Sequence, residues 1–409
     1  MSTARRHSCL SRPRQSGVAA MLILFVIAVV AISLLVSAFK SSSSQTERDK
    51  ITSAALVQAK AALIGYAARA TTPGRLPCPE NPLSIGTSQE GSALGSCTLP
   101  AIGRLPWRTL GLTDLRDGYG ERLWYAISPG FGTAPINSDT PAQLTIDGVP
   151  NSAVAIVFAA GTAINGQIRP PPSASTPPDV MQYLEGENNN GDNVFVTTGP
   201  AGTFNDQSLP ISHDQLFAVV EKRVIGEVRN ALVDYFAAHQ YYPRPASFAD
   251  GTCLGNGNLT PCGSAISANG GRIPANPTTD AWDNTSILRS FASGNWFQQN
   301  GWREVIYYAV APACIDGTAN CNGSGFLTVN APPSVPLANR TVVLIAAGRA
   351  LANQNHGSNT NPTPKKLESN YLEEENLTPL NDVYTLRPLS ATTPFNDKVR
   401  CLPGNSPQC

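Results

Sequence analysis

Histidine is the side chain that most often transfers protons near neutral pH, and the chain contains four. His213, His239 and His356 lie outside the N-terminal segment, and the first two bracket one predicted helix, where exposed positions at the helix ends are expected. The sequence has no G-x-S-x-G, H-E-x-x-H or G-x-x-x-x-G-K-[ST] motif, so the common hydrolase, zinc-protease and phosphate-loop chemistries are not indicated. We therefore do not expect an enzyme. A pocket that brings a histidine close to Asp or Glu would instead support the alternative of a membrane-tethered periplasmic enzyme.

Two acidic loops could offer oxygen ligands to calcium, which prefers carboxylate and amide oxygens. The first loop is 185–193, with Glu185, Glu187 and Asp192, and the second combines 373–376 with 381–382. The spacing does not match an EF-hand, so solvated turns are the simpler interpretation. No cofactor is predicted, and calcium stays an open alternative.

Nine cysteines occur, and Cys9 lies close to the N-terminus. The other eight include no C-x-x-C pair, which disfavours a zinc ribbon or a thioredoxin-like site. A disulfide that closes a loop of about 15 residues stabilises a fold by roughly 3 kcal/mol. The close sequential spacing predicts four local disulfides: Cys78 with Cys97, Cys253 with Cys262, Cys314 with Cys321, and Cys401 with Cys409.

Composition narrows the class of protein. The chain has 409 residues, 34 Gly, 34 Pro and only 14% charged residues, with Lys and Arg balanced by Asp and Glu. This length exceeds one ordinary domain, and 42% hydrophobic residues exclude a wholly disordered chain. No basic stripe is present, so nucleic acid is not an expected partner.

An almost unbroken apolar run extends from Val18 to Phe39. As a helix its 22 residues would measure roughly 33 Å, enough to cross the hydrocarbon core of a bilayer. Four arginines precede the run, and this bias keeps the N-terminus in the cytoplasm and places the rest of the chain on the far side. The arginines are Arg5, Arg6, Arg12 and Arg14.

Two ordinary interpretations of this run remain open. One is a secretory signal cleaved after the small residues 36–38, although the run is longer than the usual apolar region of about 7 to 15 residues. The other is a signal anchor with no further processing.

The residues at the start of the run support a third interpretation. The sequence Arg14-Gln15-Ser16-Gly17 followed by Val18-Ala19-Ala20-Met21-Leu22 resembles the leader of type IV prepilins and type II secretion pseudopilins. The resemblance implies cleavage after Gly17 by prepilin peptidase, methylation of Val18 and retention of the apolar helix. Major pilins carry a glutamate where this chain has Leu22, so the resemblance implies a large minor subunit at or near a filament tip.

Good helix formers continue from Glu47 to Ala70 and contain no proline. They predict that the membrane helix extends to about Ala70, before Pro73 ends it. A predicted apolar stripe would pack this second half of the helix on a sheet. The stripe consists of Ile51, Ala55, Ala59, Ala62 and Tyr66.

The rest of the chain contains the same unit twice. Six segments recur in one order, and the offset between paired positions grows from 169 to 191. The pairs are 62–66 with 231–235, 103–106 with 271–274, 119–126 with 302–309, 154–161 with 341–348, 183–188 with 371–376, and 204–206 with 395–397.

Each copy indicates a helix, a cysteine-bearing loop and then strands. A second helix is predicted from Ser212, with Gln215 completing a capping box, to about His239. Its apolar face comprises Leu216, Val220, Val224, Val228, Leu232 and Tyr235. The predicted strands are 122–128, 154–160 and 193–198 in the first copy, and 305–310, 341–347 and 382–386 in the second.

The predicted fold class is α+β, with a pilin-like long N-terminal helix packed on an antiparallel sheet and a second, related α+β unit. The segment 114–130 partly resembles the entry to the first strand of secretion pseudopilin heads, with Asp117-Gly118-Tyr119-Gly120 as its turn. The expected organisation is a leader at 1–17, a transmembrane helix at 18–39, a first unit at 40–211 and a second unit at 212–409.

These observations predict a single-pass inner-membrane protein with a periplasmic C-terminal region, which serves as a structural minor subunit of a type IV pilus or type II secretion filament. The implied partners are other pilin or pseudopilin subunits, prepilin peptidase and the inner membrane. A filament-displayed adhesin or ligand-binding protein is the alternative.

Overall fold

The computed structural model describes residues 44–403 with internal gaps. The residues outside the description within that span are 134, 165, 255–261, 264–269, 275–287, 289–294, 316–320, 322–324, 359, 378–381 and 388–394. Gly17, Val18, the predicted membrane span 18–39 and Cys409 therefore all lie outside the described residues.

Two long helices and two short ones occur in the described chain. Helix α1 stands at the start of the first unit and α2 at the start of the second, and buried residues of both helices share a hydrophobic core with the strands. Their bounds are Ser44–Arg69 for α1, His213–His239 for α2, Trp296–Gln299 for α3 and Glu374–Leu377 for α4.

Helix α1 is buried along one face, which matches the predicted stripe in part. Ile51 is 45% exposed, so its assignment is wrong, whereas Ala62 and Tyr66 are partly buried and pack against the core. Steps of four residues drift around a helix by about 40° each, whereas mixed steps of three and four stay on one face. The face in the core consists of Ala55, Leu56, Ala59, Leu63 and Ala67.

Helix α2 has the predicted start and the predicted apolar face. The Ser212 side chain accepts a hydrogen bond from the Gln215 backbone, and the Gln215 side chain accepts one from the Ser212 backbone, which forms the capping box. The helix ends after His239, with Gln240 in the left-handed conformation. All six predicted face residues, from Leu216 to Tyr235, are buried.

Seven strands follow α1 in the first unit. A four-stranded antiparallel sheet has the order β1-β2-β5-β7, and a three-stranded sheet has the order β4-β3-β6 with β3 parallel to β6. The bounds are β1 Ala101–Arg104, β2 Trp124–Ile127, β3 Leu144–Ile146, β4 Val149–Ala153, β5 Ala155–Ala159, β6 Val194–Phe195 and β7 Gln207–Ile211.

Seven strands also follow α2, and they repeat this topology. The four-stranded sheet has the order β14-β12-β9-β8, and the three-stranded sheet has the order β11-β10-β13 with β10 parallel to β13. The bounds are β8 Gly270–Gly271, β9 Ile306–Val310, β10 Leu327–Asn330, β11 Leu337–Arg340, β12 Val342–Ala346, β13 Val383–Thr385 and β14 Lys398–Leu402. The chain is therefore α+β, built from four small sheets that are mostly antiparallel.

One hydrophobic core runs through both units. Phe217 of α2 contacts the ring of Phe131 in the first unit and that of Trp302 in the second. Asn300 accepts a hydrogen bond from the Ile136 backbone at 2.8 Å, and Arg223 donates to the carbonyl of Ala70 at 2.6 Å. The two units therefore pack directly on each other.

Three disulfides close local loops of the described chain: Cys78 with Cys97, Cys253 with Cys262, and Cys314 with Cys321. These are pairings that the sequence spacing favours. Cys401 is also disulfide-bonded, while its expected partner Cys409 is outside the described residues. The bonds are compatible with an oxidising compartment.

Candidate functional site

Helix α1 presents a candidate assembly surface. It is the one helix of the described chain that is long and apolar enough to cross a membrane, by length and composition alone. The core helix of a soluble domain passes the same test, and α1 does carry a buried stripe. On its opposite face Val57 is 60% exposed, beside exposed Ala54 and Ala61.

A tight turn holds the start of α1 against the first unit. A Cβ atom on Gly118 would lie 2.2 Å from the backbone oxygen of Arg48, so only glycine allows this approach. The Gly118 amide donates to the Thr52 hydroxyl at 3.0 Å, and the Tyr119 hydroxyl donates to Gln45 at 2.8 Å. The turn at 117–120 is thus one of the contacts that fix α1 on the first unit.

Each unit also buries a carboxyl pair, which sequence reasoning did not assign. In the first unit Glu185 accepts from Gln167 Nε2 at 2.9 Å and from the backbone amides of Asn205 and Asp206 at 3.1 and 3.2 Å. Asp206 Oδ2 accepts from the Glu185 amide at 3.0 Å and from Asn188 Nδ2 at 2.9 Å. The pair therefore ties three loop segments together.

The second unit repeats this network atom by atom. Glu373 accepts from Gln354 Nε2 at 2.7 Å and from the amides of Asn396 and Asp397 at 3.0 and 3.1 Å. Asp397 Oδ2 accepts from the Glu373 amide at 3.2 Å and from Asn376 Nδ2 at 2.9 Å. A network that recurs with the same donors and acceptors indicates an architectural role.

The aspartate of each pair resists ionisation. Burial, together with the adjacent Glu185 carboxyl group, raises the pKa of Asp206 to about 8. Burial likewise raises the pKa of Asp397 well above its ordinary value, with Glu373 adding to the effect. Since two adjacent buried carboxyls cannot both ionise cheaply, the aspartate retains the proton, and burial raises the pKa of Glu373 as well.

In the acidic loops suggested for calcium, carboxylate oxygens accept hydrogen bonds from the protein itself. The oxygens of Glu185 and Glu373 face N–H donors, and Asp192 accepts from the Val194 amide at 2.6 Å. Throughout the described residues, no group of three or more His, Cys, Asp or Glu side chains could hold a metal ion. Residue 381 of the second loop lies outside the description.

Each described histidine packs against an aromatic ring, and His213 also lines a small pocket with Asp214 and Glu221. The exposed position expected for His213 is wrong: its ring stacks on Phe217 at 4.4 Å and is buried, because α2 begins inside the contact between the units. His239 is half-buried beside Tyr235. His356 Nδ1 is bonded to Asp139 across the two units, and its ring stacks on Tyr371. This His356–Asp139 contact joins the units.

Comparison of the chain with protein-family models, with curated proteins and with solved structures gives no match.

Proposed function

We propose that the chain is a structural minor subunit of a type IV pilus or type II secretion filament, anchored in the inner membrane by the apolar run Val18–Phe39 and cleaved after Gly17 by prepilin peptidase. The observation that carries the proposal is the two-sided character of α1, which directly follows that run in the sequence. One face is fixed in the first unit, and the opposite face carries exposed apolar and small side chains.

Assembly would use this outward face. Apolar side chains that stay exposed along a helix gain free energy when a neighbouring helix covers them. Small residues such as Ala54 and Ala61 allow two helices to approach closely, which favours packing against the N-terminal helices of other pilin or pseudopilin subunits. Leu22 in place of the glutamate of major pilins favours a position at or near the tip.

A matched pair of variants tests this assembly role. Val57 on α1 and Val149 on β4 are equally exposed, at 60% and 58%. We expect Val57→Glu to reduce the fraction of the protein recovered with purified filaments at least tenfold, because a carboxylate would be desolvated between helices. Val149→Glu should assemble like the wild type.

Both variants should keep the thermal unfolding midpoint of the wild type, since both sites are exposed. Equal recovery of the two variants with filaments would contradict an assembly role for α1.

A further inference from the structure

A cavity of about 340 Å³ opens in the first unit, away from α1. Its walls are the loop closed by Cys78–Cys97, strand β1 and the proline-rich segment 177–180. Apolar side chains such as Ile102 and Pro178 form most of the lining. This volume and lining are typical of small-molecule sites, which combine apolar walls with a few polar groups.

Three polar side chains that line this cavity are buried with atoms that lack a hydrogen-bond partner anywhere in the described chain. They are Arg104 at Nε and Nη1, Glu80 at Oε2, and Trp124 at Nε1. Arg104 and Glu80 are each 6% exposed, and Trp124 is 2% exposed. An unsatisfied buried polar atom costs about 1 to 3 kcal/mol and calls for an explanation, such as a ligand.

Both terminal nitrogens of the equivalent arginine in the second unit have partners in the protein, although its Nε, like that of Arg104, has none in the described chain. Arg272, like Arg104, follows a glycine that pairs with a buried tyrosine of the next strand. Its Nη1 donates to the carbonyl of Phe248, and its Nη2 donates to the carbonyl of Lys365 at 2.6 Å. The Phe248 ring also lies 3.7 Å from the guanidinium.

In the first unit no backbone carbonyl of the described chain accepts a hydrogen bond from the Arg104 guanidinium. The segment that corresponds to Lys365 is the proline-rich wall of the cavity, near Pro177. The contact of Arg104 with an aromatic ring is kept, since Tyr183 lies 5.8 Å from its guanidinium, as Tyr371 does from that of Arg272. The equivalent guanidinium groups of Arg104 and Arg272 thus have different surroundings in the two units.

We propose that this cavity binds the zwitterion of a free amino acid with an apolar side chain. The Arg104 guanidinium pairs with the ligand carboxylate, the Glu80 carboxylate accepts from the ligand ammonium, and the apolar walls cover the side chain. Because Arg104 and Glu80 carry opposite charges, a ligand with both charges matches the cavity better than a simple anion. This inference does not depend on the proposed assembly role.

Isothermal titration of the full-length protein in detergent tests the site with L-phenylalanine, L-leucine, L-phenylalaninamide and 3-phenylpropionate. We expect L-phenylalanine to bind with one-to-one stoichiometry, and L-leucine tests whether a smaller apolar side chain is also accepted. The amide and the deaminated acid should bind at least tenfold more weakly than L-phenylalanine, since each lacks one of the two charges.

Substitutions in the cavity test which side chains contact the ligand. Arg104→Met should weaken amino acid binding at least tenfold, and Glu80→Gln should remove most of the preference for L-phenylalanine over 3-phenylpropionate. Arg349→Met makes the same substitution at an exposed site in the second unit and should bind like the wild type. Val180→Trp narrows the cavity from its rim, so it provides a second test of binding if Arg104→Met fails to fold.

Absence of binding by both amino acids at 10 mM would overturn the proposal. Equal binding of L-phenylalanine and its amide would overturn it as well, and so would unchanged affinity in a folded Arg104→Met or Val180→Trp protein.

Discussion

The two units agree where buried carboxyls hold their loops together and differ around the arginine at the end of β1 or directly after β8. Glu185 with Asp206, and Glu373 with Asp397, accept hydrogen bonds from equivalent donors. By contrast, Arg272 donates from both terminal nitrogens to backbone carbonyls, whereas Arg104 lines a cavity. A carboxyl that accepts hydrogen bonds from the backbone of several loops cannot be replaced without loss of stability. An arginine without such hydrogen bonds can instead bind a ligand.

The largest expected effect comes from removing the acceptor at the centre of the shared network. Glu373→Met leaves Gln354 Nε2 and two backbone amides without their acceptor, and we expect a loss of about 4 kcal/mol of unfolding free energy. Glu185→Met should cost a similar amount in the first unit. Urea unfolding, followed by circular dichroism, measures both.

Asp397→Asn is the matched control, because an amide resembles the protonated aspartate and should cost less than about 1 kcal/mol. Clearly unequal losses for Glu373→Met and Glu185→Met would break the equivalence of the two networks.

The next largest expected loss of unfolding free energy distinguishes Arg272 from Arg104. Arg272→Met removes charged donors from two buried carbonyls, and we expect it to cost about 3 kcal/mol. Arg104→Met should cost less than about 1 kcal/mol, since it removes a buried cation whose Nε and Nη1 have no hydrogen-bond partner in the described chain. Thermal unfolding of the two variants gives the comparison, and similar losses would contradict the distinction between them.

The retained proton of Asp206 predicts that the stability of the fold depends on pH. An aspartate has a pKa near 3.9 when unfolded, and burial raises the pKa of Asp206 to about 8 in the folded unit. Between those values the folded state binds more protons, so this group's contribution to stability is complete below about pH 4 and is lost as the pH rises to about 8.

Asp206→Asn should remove that decline, which is at most about 1.4 kcal/mol per pH unit. The test is the difference in unfolding free energy between wild type and variant from pH 4 to pH 9. A difference that does not change with pH would show that Asp206 is ionised in the fold.

The smallest effect concerns an ion pair that the first unit lacks. Arg349 and Asp214 are both more than half exposed, and Thr162 occupies the place of Arg349 in the first unit. Arg349→Met should therefore change the unfolding free energy by less than about 0.5 kcal/mol, and salt should reduce the effect. A loss above 1 kcal/mol, measured by urea unfolding at low salt, would contradict this.

Much of the fold is predictable from local patterns. The capping box at Ser212 and Gln215, and the apolar face of α2, were sufficient to place that helix. The six predicted strands contain β2, β5, β6, β9, β12 and β13, because continuous β-branched and aromatic runs mark buried strands. Strands such as β7, with Pro210, and β8, with two glycines, carry no such pattern.

The sites were harder to predict because their partners are distant in the sequence. The recurrence of 183–188 and 204–206 in the second unit marked both carboxyl pairs, but only the fold shows that Glu185 reaches Asp206. The cavity around Arg104 had no sequence signal. It depends on the absence of a backbone partner that Arg272 possesses, and such an absence is visible only in three dimensions.

The mass of the mature N-terminus decides whether the apolar run stays attached to the two units. In cells that contain prepilin peptidase, we predict a chain that begins at N-methylated Val18, and in cells without the peptidase an uncleaved chain. A chain that begins after Ala38, or one that still begins at Met1 when the peptidase is present, would contradict the filament-subunit proposal.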